Sequence, residues 1–314
     1  VITVAGEALI DLVDEGGGRF RAHPGGSPAN VAVGLARLGV PCSLLARVSS
    51  DPLGRQVEAH LAGNGVSLRD VASAAEPTTL ALASLDGDGR AAYSFYVNGT
   101  ADWQWRAAEL PAQLAPDVEC LHAGSLALAL PPGARVLEAL LAAEHARGQV
   151  TISLDPNIRP TLAVGRDHEV ARLERQLGFA HLVKASEEDI EWLYPGAACE
   201  EVAHAWQRLG PRVVVITLGE RGAFALAPDG TQLRRPAHEV VLVDTVGAGD
   251  AFCSGLLDAL RRQKRLGPGG PAGVTPPELA EAVDWAILIS ALTCARAGAD
   301  PPTRDEVLRS VGGP

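Results

Sequence analysis

Short apolar runs alternating with longer amphipathic stretches predict an α/β fold, a three-layer α/β/α arrangement with a mostly parallel central sheet and helices on both faces. Three observations carry that expectation. The runs VITVAG, SLLARV, CLHAG and VTISLD have the character of buried strands; each is followed by a segment of helical spacing; and one β-patterned excursion, TLALASLDGDGRAAYSFYV, interrupts the rhythm. At 314 residues the chain can hold one large core with a small appendage.

In order along the chain, VITVAGEALIDLV reads as the opening strand and NVAVGLARLG as the first helix, entered at Asn30 behind Gly25 and Gly26. Two glycines permit close backbone approach, and a helix start with Asn offers donors and acceptors suited to hydroxyl groups; it is equally an ordinary capped turn. SLLARV with RQVEAHLAGNG repeats the strand and helix unit. The excursion at 79–97 has two arms around Asp86, Gly87, Asp88 and Gly89, hence a hairpin with a glycine turn. Carrying Tyr93, Phe95 and Tyr96, it is either a lid over a ligand or a decorating hairpin whose aromatics pack. One domain spanning 1–314 is expected.

CLHAG with ARVLEALLAAEHARG, and VTISLD with EVARLERQLG, continue the alternation. AFALAPDGTQLRR is a second hairpin around Pro228, Asp229 and Gly230. At 243–252, VDTVGAGDAF opens a helix whose apolar face is Phe252, Leu256, Leu257 and Leu260, with Arg261, Arg262, Lys264 and Arg265 at the end where cations suit the dipole. Gly247 and Gly249 let amides turn toward an anion, and Asp250 falls in the first helical turn. That Asp is either a helix cap or a lone carboxylate beside a phosphate cradle. GPGGPAGVTPP, 267–277, reads as an exposed connection before a last long helix at 277–297.

Composition narrows the function. Hydrophobic residues at 47%, charged residues at 21% and a net charge of -11 describe a globular protein with no electrostatic footprint for nucleic acid or an anionic membrane. Five scattered cysteines, Cys42, Cys120, Cys199, Cys253 and Cys294, form no CxxC pair, so neither a disulfide framework nor a structural zinc site is expected, and a cytoplasmic location is. The eight histidines show no ligand spacing, and His122 and His181 are expected to be core or solvated residues. Only two of the 27 basic residues, Lys184 and Lys264, are lysines. There is no methionine, so Val1 is not expected to be the encoded start.

GGSPAN near the start, DPNIRP at 155–160, ITLGERGA at 216–223 and DTVGAGDAF at 244–252 occur in this order and resemble the ribokinase-like, or PfkB-type, carbohydrate kinases over nearly the whole chain. No GxxxxGK[ST] motif is present, which excludes the P-loop route to the same chemistry. The resemblance implies a ribokinase-like fold with a small β-sheet lid, formed by about residues 12–24 and 78–104 and inserted in the domain, and ATP-dependent phosphorylation of a sugar hydroxyl. It makes Asp250 the catalytic base and the Gly247, Ala248 and Gly249 amides the anion hole. Asp11, Gly25, Gly26 and Asn30 match positions that hold sugar hydroxyls. Lys184 and Ser186 match phosphate contacts, while Thr217, Gly219 and Gly222 match the loop over the nucleotide.

In relatives an NxxE motif orients magnesium through water; here the match is Ser186, Glu187, Glu188 and Asp189, so Asp189 or Glu188 is the expected metal-side carboxylate. Asp244 matches an acid that in many relatives binds a monovalent cation such as potassium with backbone carbonyls from the 290s; its alternative is a turn-forming Asp. The expected partners are a small-molecule sugar and ATP, with neither nucleic acid nor membrane, and a homodimer formed through exposed lid edges.

Within the family, GEALIDL, LHAGSLAL and YSFYVNGTADWQW look like fructokinases. Phe95 or Tyr96 could stack on a sugar face, and Trp103 and Trp105 either wall the pocket or pack beneath the lid. The rival is 2-keto-3-deoxygluconate kinase, whose relatives carry an aromatic-then-arginine pattern where this chain has Tyr96, Val97 and Asn98; Arg159 could still reach a carboxylate or a hydroxyl. A nucleoside kinase is a weaker alternative. A catalytically silent sugar- or nucleotide-binding sensor is disfavoured by the intact GAGD, since a binding module has no need of a base beside an anion hole.

Overall fold

The structure is a computed structural model that describes residues 1–85 and 91–312; the turn expected at Asp86, Gly87, Asp88 and Gly89 lies outside the described residues. In chain order the strands are β1 (Ile2–Ala5), β2 (Leu9–Gly16), β3 (Arg19–Gly25), β4 (Cys42–Leu45), β5 (Arg47–Ser49), β6 (Ala72–Ala74), β7 (Leu80–Leu85), β8 (Ala91–Tyr96), β9 (Cys120–Gly124), β10 (Thr151–Asp155), β11 (Leu182–Ser186), β12 (Val213–Thr217), β13 (Ala223–Leu226) and β14 (Gln232–Arg235). The helices are α1 (Ser27–Arg37), α2 (Pro52–Gly63), α3 (Gly133–Arg147), α4 (Arg166–Leu177), α5 (Glu187–Leu193), α6 (Cys199–Leu209), α7 (Ala248–Arg262), α8 (Pro276–Cys294) and α9 (Arg304–Ser310).

The central sheet runs β14-β13-β12-β11-β10-β9-β1-β4, parallel from β4 to β12 and antiparallel at β13 and β14, so the hairpin expected around Pro228 to Gly230 closes one edge. Each strand sends alternate side chains to opposite faces, and both faces are apolar. Ile2, Val4, Val213 and Val215 pack into a core with α1, α2, α7 and α8. Ala5, Val214, Ile216 and Leu154 pack into a second core with α3, α4, α5 and α6. The three layers follow from that alternation.

The excursion forms part of a separate four-stranded sheet, β3-β2-β7-β8, built from two hairpins distant in sequence: β2 and β3 pair as one, β7 and β8 as the other, and β2 joins β7 in parallel. Among the described residues no helix is long and apolar enough to cross a membrane.

Three expectations need correction. VITVAGEALIDLV is two strands in two sheets, broken at Gly6, where a Cβ would lie 2.2 Å from Pro28 Cγ. SLLARV also divides: beyond Ala46 the chain leaves the central sheet and β5 pairs with β6. The 267–277 connection is anchored rather than merely exposed, because Thr151 Oγ1 donates to the Gly267 carbonyl and accepts from its amide, a 3-10 turn spans Gly270–Gly273, and Pro271 and Val274 are buried.

Candidate active site

The site forms where the C-terminal ends of the parallel strands meet the start of α7, the place at which an open α/β sheet leaves room for a ligand. Gly247 is the N-cap of α7, with φ +75, and a Cβ on it would lie 2.7 Å from the Ala299 Cβ; only glycine suits both demands. No side chain caps this helix, so its first-turn amides and positive dipole end are left for an anion.

Asp250 does not cap α7. It is buried, with Oδ1 accepting from Ser27 Oγ at 2.6 Å and Oδ2 accepting from Asn30 Nδ2 at 2.8 Å. Those two residues are one turn apart at the start of α1, so they share a face. The carboxylate is therefore spent on α1 and not on the amides of its own helix. Burial raises the carboxyl above its usual range; the Ser27 and Asn30 hydrogen bonds lower it, Asp155 raises it and Lys184 lowers it.

Asp11 on β2 approaches from the separate sheet. Its carboxylate lies against Gly25, where a Cβ would meet Oδ2 at 2.0 Å, so the glycine is required for the acid to sit there. Burial, then the charge of Asp250, push Asp11 up to about 6, while Arg159 opposes them. Gly26, with φ +101, turns the chain into α1 against the Glu7 carbonyl. Arg159 folds onto its own loop, donating to Asn157 Oδ1 at 2.7 Å. Phe95 lies in register with Ala81, and Ala81 with Asp11, so Phe95 and Asp11 share one row and one face of the sheet. Trp103 and Trp105 are buried in the second core, which assigns them to packing.

Beneath α7 lies a buried ion pair. Lys184 Nζ donates to Asp155 Oδ2 at 3.0 Å, and the Cys253 thiol donates to the same oxygen at 3.3 Å. The ammonium is also 3.1 Å from where a Cβ on Gly249 would be, so this glycine lets the cation reach the helix start. Burial pulls Lys184 down, but Asp155, followed by Cys253 and Asp189, outweighs it and holds the group charged. Sequence reasoning placed Lys184 near phosphates and missed its partner; a lone lysine within an apolar strand needs a counterion, and Asp155 ends the neighbouring strand.

Ser186 and Asp189 are engaged with each other. Ser186 is the N-cap of α5; it accepts from the Asp189 amide, and Asp189 Oδ2 accepts from both the Ser186 amide and Oγ. Asp189 Oδ1 accepts from the Ile158 amide at 2.7 Å. The buried Asp189 carboxylate thus joins the 155–160 loop to the end of β11, and Glu188 is the exposed acid of this turn. Asp244 ties two loops, accepting from the Val246 amide at 3.0 Å and the Gly298 amide at 2.8 Å, while its own amide donates to the Cys294 carbonyl. Among the described residues no three His, Cys, Asp or Glu side chains cluster as a metal site.

Thr217 ends β12 and Gly219 opens a 3-10 turn with φ +57. Gly222, with φ +87, lies so close to β14 that a Cβ would meet the Arg235 carbonyl oxygen at 2.0 Å. His122 is a core residue, 3.0 Å from Ser153 Oγ, and burial lowers it to about 4. His181 Nδ1 accepts from the Ile152 amide. Two further acids were not anticipated. Asp102 accepts from the Ala8 amide at 2.9 Å and from Thr79 Oγ1, and Glu7 accepts from the Ala127 amide. Burial pushes them up to about 6 and about 7 respectively. Glu7 inside the apolar VAGEALI run was the available signal.

A carboxylate-bearing glycine turn at the end of a mostly parallel sheet, with a second sheet facing it, defines a phosphotransferase-type site without a P-loop. Residues 2–306 match the pfkB family carbohydrate kinases, and the chain belongs to that family. It is 36% identical over 318 residues to a fructokinase of Klebsiella pneumoniae, covering 99% of each chain. The ATP-bound fructokinase of Xylella fastidiosa superimposes with a TM-score of 0.90 at 26% identity, covering 99% of this chain and 98% of that one. A fructokinase double mutant of Vibrio cholerae O395, in fructose-, ADP- and potassium-bound form, does so at 0.81 and 30%, covering 95% and 93%.

Proposed function

We propose that this chain transfers the γ-phosphoryl group of ATP to a hydroxyl of fructose, giving fructose 6-phosphate and ADP, with Asp250 as general base. The observation that carries the reading is the buried Asp250 carboxylate, held by two hydrogen bonds at the uncapped N-terminus of α7. A carboxylate raised by burial is better matched to a hydroxyl proton than one in water. The Gly247, Ala248 and Gly249 amides stabilise the migrating phosphoryl group, and the paired Lys184 supplies positive charge at the same helix start. Asp11, Gly25, Gly26, Asn30, Phe95 and Arg159 form the sugar side, and Thr217, Gly219 and Gly222 the nucleotide side.

Fructose rests on the fructokinases to which the chain is similar. Magnesium belongs to the proposal with Glu188 as the water-mediated carboxylate, because Glu188 is exposed whereas Asp189 is buried among protein donors. Potassium belongs at the loop pair that Asp244 ties together. The separate sheet acts as a lid, and its outer strands β3 and β8 offer the edges through which a homodimer would form.

The test is magnesium-dependent ADP release across fructose, ribose, glucose, 2-keto-3-deoxygluconate and adenosine. Fructose gives the highest kcat/KM, and Asp250→Asn lowers kcat on it by about 10²–10⁴-fold, the contribution typical of a positioned base. A higher kcat/KM on the sugar acid refutes the substrate. Retained kcat in Asp250→Asn refutes the base.

A further inference from the structure

Asp250 is gripped by α1 at both oxygens, and the grip at Oδ1 comes from a residue with no role so far. Ser27 is the first residue of α1, half-buried, and its hydroxyl has a single partner among the described residues, Asp250 Oδ1 at 2.6 Å. Nothing in the fold of α1 requires that contact: the helix carries no side-chain cap, so Ser27 is not spent on the helix's own amides. Its direction is fixed, because an ionised carboxylate only accepts, so the Ser27 hydroxyl must donate.

We infer that Ser27 is a positioning residue for the phosphoryl transfer, holding Oδ1 of Asp250 through its hydroxyl so that the remaining lone pairs of the carboxylate face the acceptor hydroxyl. Each carboxylate oxygen can accept more than one hydrogen bond, so the clamp leaves room for the substrate proton. Ser27 and Asn30 together restrain rotation of the carboxyl plane, which a single contact could not do. Because both are on the helix that follows the Gly25 and Gly26 turn, the sugar-facing segment and the base are fixed to one another through side chains rather than through the sheet.

The same donor favours the charged form of Asp250, and so works against its burial. The groups that face Asp250 from neighbouring elements are Asp155 on β10, Lys184 on β11 and Asp11 on β2, and all remain in place in a Ser27 variant. Removal of the hydroxyl therefore raises the proton affinity of the base, and its active, deprotonated form is reached only at higher pH.

The inference rests on Asp250 acting as base, so the experiment compares Ser27→Ala, Ser27→Thr and Asp250→Asn with the parent chain. Steady-state rates with fructose and ATP are followed from pH 5 to pH 9. Ser27→Ala is expected to lower kcat about 10-fold with KM for fructose unchanged, as for loss of one hydrogen bond to a charged group. Its acid limb in kcat is expected to shift upward by about one pH unit. Ser27→Thr, which keeps the hydroxyl, restores both, which a general loss of folding at this position would not. An unchanged kcat and acid limb in Ser27→Ala, with Asp250→Asn inactive, overturns the clamp and leaves the base standing. A rise in KM alone makes Ser27 a sugar contact and overturns it as well. Retained activity in Asp250→Asn removes the base reading itself.

Discussion

Lys184 shows how the environment of a residue can escape a reading of the sequence. In the apolar strand β11 an ammonium is tolerable only with a counterion at contact distance, and Asp155 on the neighbouring strand supplies it. Removing one member of such a pair leaves an uncompensated buried charge, so Lys184→Met should lower unfolding stability by about 3–5 kcal/mol in denaturant titrations. Lys184→Met combined with Asp155→Asn should recover part of that loss, since the stranded carboxylate is gone. Equal midpoints for the single and double variants would show that the stranded carboxylate carries no cost. Asp250 was legible because a glycine turn and an acid stand next to each other in sequence. Its Ser27 and Asn30 clamp was not, because the partners are more than 200 residues apart.

At the scale of elements, α7 is held from two sides. It packs against α8 through Gly255, where a Cβ would lie 2.9 Å from both the Ala286 Cα and the Ile289 Cδ1, and its first turn meets α1 through Asp250. Gly255→Ala should therefore force α8 outward and cost about 1–3 kcal/mol, as overpacking of a full core does. A lower thermal midpoint checks it, and an unchanged one would mean the two helices can separate freely. Periodicity located α1, α2, α3 and α4 to within a few residues, since each has one apolar face over several turns. It did not separate β1 from β2 or β4 from β5. The β4–β5 join is apolar and the β1–β2 join carries only Glu7 within an apolar run, so what divides the halves is the sheet each enters, a tertiary choice that hydrophobicity does not encode. The seven-residue α5 is too short for a helical period to stand out, and its Ser186–Asp189 capping box was not read from the sequence.

For the whole molecule, the order of the central sheet follows from parallel connections and short runs, whereas the pairing of β2 with β7 depends on strands more than 60 residues apart. That pairing places Asp11 and Phe95 in one row, and it is what the proposed lid action would exploit. Hydrogen exchange should show slower amide exchange in β2, β3, β7 and β8 when fructose and a nucleotide are bound together, with little change in β10 to β12. Uniform slowing over the central sheet would count against a lid. The Cys253 thiol sits at the centre of this design, bonded to the acid that partners Lys184 and sealed beneath the helix that carries Asp250. Burial holds its proton far above the usual thiol range, so it is inert to alkylating reagents while α7 stays docked. The protein thus carries its own stopwatch: the rate at which Cys253 becomes labelled counts the openings of α7, without any probe having been installed.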